Sequence, residues 1–156
     1  MAQHNERSGF IEEVGLLFEA LGVTRMAGRI MGYLMISDKE MISFDELTQV
    51  LQASKSSIST NLKSLVNIKF IKPTTIPGDR KTYYLLNPDL NWESYLEKRL
   101  EMLQIMLQLF RKGISLRVNK KDRPAVWLLE AIQFYEWIGR EYPRLLKEYK
   151  DARQSS

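Results

Sequence analysis

The stretch Ser54 to Phe70, SKSSISTNLKSLVNIKF, fits an amphipathic helix with one narrow apolar stripe. Ile58, Leu62, Leu65 and Lys69 fall at i, i+4, i+7 and i+11, which at about 100° per residue lines them up, with Val66 beside them. Ser56, Thr60, Lys63 and Asn67 lie roughly opposite, with Ser59 and Ser64 on the flanks. Serine and threonine are weak interior helix formers because they hydrogen-bond locally, so this face gives up helix propensity. In return it carries small hydrogen-bonding groups beside lysines, the chemistry that suits a groove floor and its phosphates. The same pattern fits a solvated surface helix, and the flanking sequence has to decide.

Upstream, Ser43-Phe44-Asp45-Glu46 has the S-x-x-E form of a capping box and predicts a helix to about Gln52, with Phe44, Leu47, Val50 and Leu51 inward. Ala53-Ser54 leaves a minimal turn, and Ser54 can cap the stripe-bearing helix. Two short helices joined so tightly, the second polar and basic outside, predict a helix-turn-helix. Downstream, Phe70 to Thr75 and Lys81 to Leu86 flank Pro77-Gly78-Asp79-Arg80, a β-hairpin with a basic tip. Pro73 cannot donate to a central ladder and suits an edge strand. A lone hairpin is marginal, so Met41-Ile42 is expected as a third short strand. The sum is a winged helix over residues 23-87.

On the N-terminal side, Phe10, Ile11, Val14, Leu17, Phe18 and Leu21 predict a helix over Asn5 to Leu21, stopped by Gly22. Thr24 can cap a second helix, Arg25 to about Ile36, whose buried side is Met26, Ile30, Tyr33 and Leu34. Gly28 and Gly32, four apart inside it, each cost about 1 kcal/mol relative to Ala, which close helix approach would offset. After Asn87-Pro88-Asp89 a long helix begins, apolar over more than one face from Trp92 to Phe110. Gly113 to Pro124 reads as a basic, partly helical connection. A final helix is expected over about Ala125 to Lys150, with Trp127, Phe134, Tyr135 and Ile138 inward or at an interface, and ARQSS should fray. Residues 1-22 and 88-156 therefore read as dimerisation helices; the alternative is that they complete a monomeric core.

Charge placement supports one anionic partner. Lys and Arg total 23 and Asp and Glu 19, a net of +4. Between Ser54 and Tyr84 six cations stand against Asp79 alone, a net of +5 that leaves the remainder at −1. Cysteine is absent and His4 is the sole histidine, at an N-terminus expected to fray. That composition removes thiolate chemistry and argues against metal sites and against enzymatic catalysis; no cofactor is expected. No apolar run approaches the roughly 20 residues of a membrane span, so no membrane partner and a cytoplasmic location are expected.

The combination resembles the MarR-type winged-helix repressors, most closely the GbsR-like branch. The matching residues are Gly28-Arg29-Ile30 with Gly32 and Leu34, then Asp45-Glu46-Leu47, then Ser54 to Ser59 with Leu62 and Leu65. Pro77-Gly78-Asp79-Arg80-Lys81 with Tyr83-Tyr84 complete the set, and the likeness covers about Phe10 to Leu86. The resemblance implies a mainly α fold with a small β wing, and a homodimer that binds double-stranded DNA. It places Ser54, Lys55, Ser56, Ser57, Ser59, Thr60 and Lys63 at the major groove and its phosphates, with Arg80 and Lys81 holding the wing to the backbone or minor groove. In the commoner MarR wing an aspartate and an arginine are separated by one residue; here Asp79 and Arg80 are adjacent. Some GbsR-like regulators resemble sensors of choline-type compounds. Trp92, Tyr95 and Trp127 are the candidate aromatic cage for such a small-molecule effector, although aromatics at helical spacing also suit a core.

The expectation is a sequence-specific transcriptional regulator, a repressor on a pseudo-palindromic operator. The rival is a winged helix that docks an acidic protein through the same basic face.

Overall fold

In the computed structural model, which describes residues 2–154 and the side chains of 5–153, helix α1 (Ala2–Ala20) packs on α2 (Arg25–Ile36). Two glycines set how near they come. A Cβ on Gly28 would stand 2.6 Å from the Val14 carbonyl oxygen and 2.7 Å from Gly15 Cα, and one on Gly32 would stand 3.1 Å from Ile11 Cα. The propensity lost at both positions is thereby offset by backbone packing. Ile11 is buried in this contact and Val14 and Phe18 are partly buried, but Phe10, Leu17 and Leu21 point outward. The helix also starts at Ala2, three residues before the predicted Asn5, so the backbone through His4 is helical where fraying is expected. Met1 lies outside the described residues.

Thr24 caps α2 by accepting from Ala27 N. A two-residue strand β1 (Ile42–Ser43), one position later than the apolar pair Met41-Ile42 predicts, leads into α3 (Phe44–Val50), a tight turn and α4 (Lys55–Asn67). Strands β2 (Ile71–Thr75) and β3 (Thr82–Leu86) form the hairpin. The antiparallel sheet has the order β1-β3-β2, with Ile42 opposite Tyr84 and Pro73 opposite Tyr84 on the other side. Pro73 thus occupies the edge strand, where its missing N–H costs no ladder bond. Ile30, Ile42, Leu47, Leu51, Ile58, Leu62, Leu65 and Ile71 are the fully buried centre, drawn from α2, β1, both helices of the helix-turn-helix and the wing.

Helix ends account for most departures from the predicted boundaries. The helix at 55–67 stops before Lys69, which is exposed at φ +67 and is not part of the inward stripe. Lys69 N bonds Val66 O and Phe70 N bonds Leu65 O, the paired bonds of a Schellman ending. The helix ending at Val50 closes alike, with Gln52 at φ +48, Gln52 N on Gln49 O and Ala53 N on Thr48 O. Val50 is left exposed. The capping box is half made: Ser43 accepts from Glu46 N. The Glu46 carboxylate instead takes the Tyr33 hydroxyl and Lys39 Nζ, each at 2.8 Å, because Ser43 already belongs to the β1 ladder.

The chain divides into two compact units, Met1–Leu90 and Asn91–Ser156, so α1 shares the unit of the winged helix. The second unit is a pair of helices, α5 (Trp92–Leu116) and α6 (Arg123–Gln154), packed on each other. Asn91 caps α5 through Ser94 N, and Asp122 accepts from Ala125 N at the start of α6. The basic connection is therefore shorter than Gly113 to Pro124: α5 runs through Gly113, and 117–122 alone is non-helical. Helix α6 also carries Ala152, Arg153 and Gln154, where fraying is predicted, while Ser155 and Ser156 lie outside the described residues. Among the described residues no helix is long and apolar enough to cross a membrane.

Candidate nucleic-acid interface

Position along α4 separates structural side chains from presented ones. Ser54 accepts from Ser57 N at 3.2 Å, and its hydroxyl lies 3.1 Å from that of Ser56. Ser54 therefore fixes the start of the helix before it can read anything. Ser57 and Ser59 are half-buried, while Lys55, Ser56, Thr60 and Lys63 are exposed. Ser56, Thr60 and Lys63 lie on the face opposite Ile58, Leu62 and Leu65, as the periodicity requires, while Lys55 is exposed because it opens the helix.

The wing tip is held by its aspartate. Asp79 accepts from Lys81 N at 2.9 Å and from the Tyr83 hydroxyl at 2.8 Å, both across the turn. Those donors hold its carboxyl below the ordinary carboxylate range, the Lys81 N–H first and the Tyr83 hydroxyl next. The same bond raises Tyr83 above the usual phenol value. Asp79 thus stiffens the turn that carries Arg80 and Lys81; its two hydrogen bonds go to other groups than the Arg80 guanidinium. Both cations are exposed, and with Thr82 and Tyr84 they line a cavity of about 300 Å³ facing Phe44 and Asp45 at the start of α3.

Ion pairing sorts the cations further. Lys39 pairs with Glu46 at 2.8 Å and Lys72 with Asp89 at 2.6 Å. Among the described residues Lys55, Lys63, Arg80 and Lys81 enter no ion pair. Both exposed lysines of the second helix and both cations of the wing tip are thus outside the ion pairs that occupy Lys39 and Lys72 in the same unit. No group of three or more potential metal-ligating side chains occurs among the described residues.

Two curated relatives are similar to this chain over about half of its length. The HTH-type transcriptional regulator MmpR5 of Mycobacterium tuberculosis is 42% identical over 80 residues, 51% of this chain and 48% of that protein. The HTH-type transcriptional repressor GbsR of Bacillus subtilis is 30% identical over 79 residues, 51% of this chain and 43% of that protein. The chain resembles the GbsR-like, MarR-type winged-helix regulators. A solved structure described as a transcriptional regulator extends the likeness to the whole fold, at 28% identity and a TM-score of 0.72 over 94% of this chain and 99% of that one. The match spans just under half the length of either curated relative. No family model matches.

The aromatic cage does not assemble. Trp92 and Tyr95 meet edge to face at 5.9 Å at the start of α5, whereas Trp127 packs on Phe110, centroids 5.6 Å apart. Phe110 lies 18 residues along α5 from Trp92, roughly 27 Å at the helical rise. Trp92 instead lines a cavity of about 310 Å³ with Leu96, Tyr142, Leu145, Leu146 and Tyr149, and Glu93 at its edge. The tyrosines of α6 gave no sign of this in sequence because helical spacing alone does not tell which turns of two antiparallel helices meet. Asn61 was also missed: it lies on the flank of the apolar stripe and is buried at 7% exposure.

Proposed function

We propose that this chain is a sequence-specific, double-stranded DNA-binding transcriptional regulator, a repressor that acts as a homodimer on a pseudo-palindromic operator. The observation that carries the reading is the placement of four exposed cations that enter no ion pair, Lys55 and Lys63 on α4 and Arg80 and Lys81 on the wing. Duplex phosphates neutralise such a set, and Ser56 and Thr60 between the lysines offer hydroxyls to base edges. The likeness to HTH-type regulators supports the same assignment.

The homodimer rests on α5 and α6. Packed on each other, these two antiparallel helices leave Met102, Ile105, Leu109, Phe134 and Trp137 exposed. Apolar surface of that extent marks an association site. A two-fold pair would set two copies of α4 about one helical turn apart, 34–36 Å in the usual geometry of such dimers. The cavity beside Trp92 is then the candidate effector site, in place of the three-residue cage.

Selection of bound duplexes from a random pool tests this reading. The expected outcome is an enriched motif with two-fold symmetry and half-sites centred about 10 base pairs apart. Recovery of unenriched sequence would leave only non-specific binding, and no recovery at all would favour an acidic protein partner.

A further inference from the structure

Among the described residues, Ser43 and Asn61 are the buried polar side chains, and Asn61 belongs to α4, the helix that presents the candidate base-reading groups. Both ends of its amide are engaged. Asn61 Nδ2 donates to the Ser57 carbonyl at 2.8 Å, and Oδ1 accepts from the Thr24 hydroxyl. The same Thr24 oxygen accepts from Ala27 N at 3.1 Å and so caps α2. One threonine thereby ties the start of α2 to the middle of α4.

The apolar neighbours cannot supply this tie. Ile58, Leu62 and Leu65 hold α4 to the core through contacts that change little with a small rotation, and apolar cores lose uniqueness before they lose stability. A hydrogen bond is far less tolerant, weakening steeply once its angle falls below about 120°. At the 5–6 Å radius of helix side chains, turning α4 by about 20° would carry Thr60 and Lys63 through roughly 2 Å. That shift breaks a bond to a base edge, whereas a long lysine can still find a phosphate.

We propose that the Thr24–Asn61 hydrogen bond sets the rotation of α4 about its own axis and, through it, the sequence preference of the DNA-binding surface. The proposal rests on the duplex-binding reading above. Neither residue is assigned a contact with nucleic acid; both are positioning residues, and their loss separates preference from raw affinity.

The test uses the full chain, the best duplex from the selection, and a random duplex at the same salt. Asn61→Leu removes the amide while keeping its approximate shape, and Thr24, an exposed residue, keeps its hydroxyl within reach of water. Thr24→Val removes the donor and Thr24→Ser restores it. Expected are a fall of about tenfold in the specific-to-random affinity ratio for Asn61→Leu and Thr24→Val, random-duplex affinity within about twofold of the parent, and a parental ratio for Thr24→Ser. An unchanged ratio in Asn61→Leu, or equal loss on both duplexes, overturns the proposal and leaves duplex binding intact. Failure of the unsubstituted chain to bind duplex overturns both. If Asn61→Leu does not fold, the threonine pair decides: equal ratios for Val and Ser contradict the positioning role.

Discussion

The two units of this chain handle apolar surface in opposite ways. In Met1–Leu90 twelve buried hydrophobic residues form one cluster that draws on helices, sheet and turn alike. Among the described residues of Asn91–Ser156 only Leu107, Ala125 and Leu146 are buried, while Trp127, Leu109 and Phe134 each remain more than half exposed. Several helices and a sheet packed around one centre can enclose a core; two long helices by themselves cannot, because within their unit each has one neighbour and more than one apolar face. The first unit is thus built to present a surface and the second to find a partner.

The largest effect that could break this contrast is in the first unit. Leu62→Ala empties a fully packed site and should cost about 2–5 kcal/mol, read as a fall in the denaturation midpoint that does not depend on protein concentration. Next comes the second unit. Ile105→Glu with Phe134→Glu should leave the winged helix folded and raise the dimer dissociation constant by at least about tenfold, measured by sedimentation equilibrium. A monomeric parent chain at micromolar concentration would remove the contrast altogether.

Tyr33 sharpens the first half of the comparison. Burial, and then its bond to Glu46, push the Tyr33 phenol up to about 12. A raised folded value contributes stability that is complete below the ordinary phenol value of 10.0 and disappears as pH rises through about 12. Glu46 runs the other way. Burial raises it, but the bonds from Lys39 and Tyr33 outweigh burial and hold it below 4.5, so its contribution is lost as pH falls beneath that value. Tyr33→Phe should therefore cost about 1 kcal/mol near neutral pH and flatten the alkaline limb of a stability-versus-pH curve. The smallest effect is at Lys69, whose φ of +67 is unfavourable for a residue with a Cβ. Lys69→Gly should stabilise by up to about 1 kcal/mol in chemical denaturation.

Lys69 also shows what the sequence could not reveal. Periodicity located every helix and the winged-helix core, since Ile58, Leu62 and Leu65 can face inward in only one way. It overran the helix at Lys69, because a lysine and a glutamine fill Schellman positions that a glycine such as Gly22 would have marked. The S-x-x-E pattern gave the Ser43 cap but not the fate of Glu46, which depends on Tyr33 and Lys39 from elsewhere in the chain. Cation placement was legible as a count, but only coordinates show that Lys72 is paired with Asp89 and that Arg80 and Lys81 are not paired. The cage of Trp92, Tyr95 and Trp127 failed for want of one long-range fact, the register of α5 against α6.

The salt dependence of duplex affinity tests the central claim most directly. If two subunits each place Lys55, Lys63, Arg80 and Lys81 on phosphates, eight contacts imply a slope of log affinity against log salt of about −7. The fall between 50 and 200 mM would then be on the order of 10⁴-fold, and Arg80→Ala with Lys81→Ala should flatten the slope by about 4. A parent slope near zero, or a double variant with the parent's slope, would contradict the assignment of this surface to DNA.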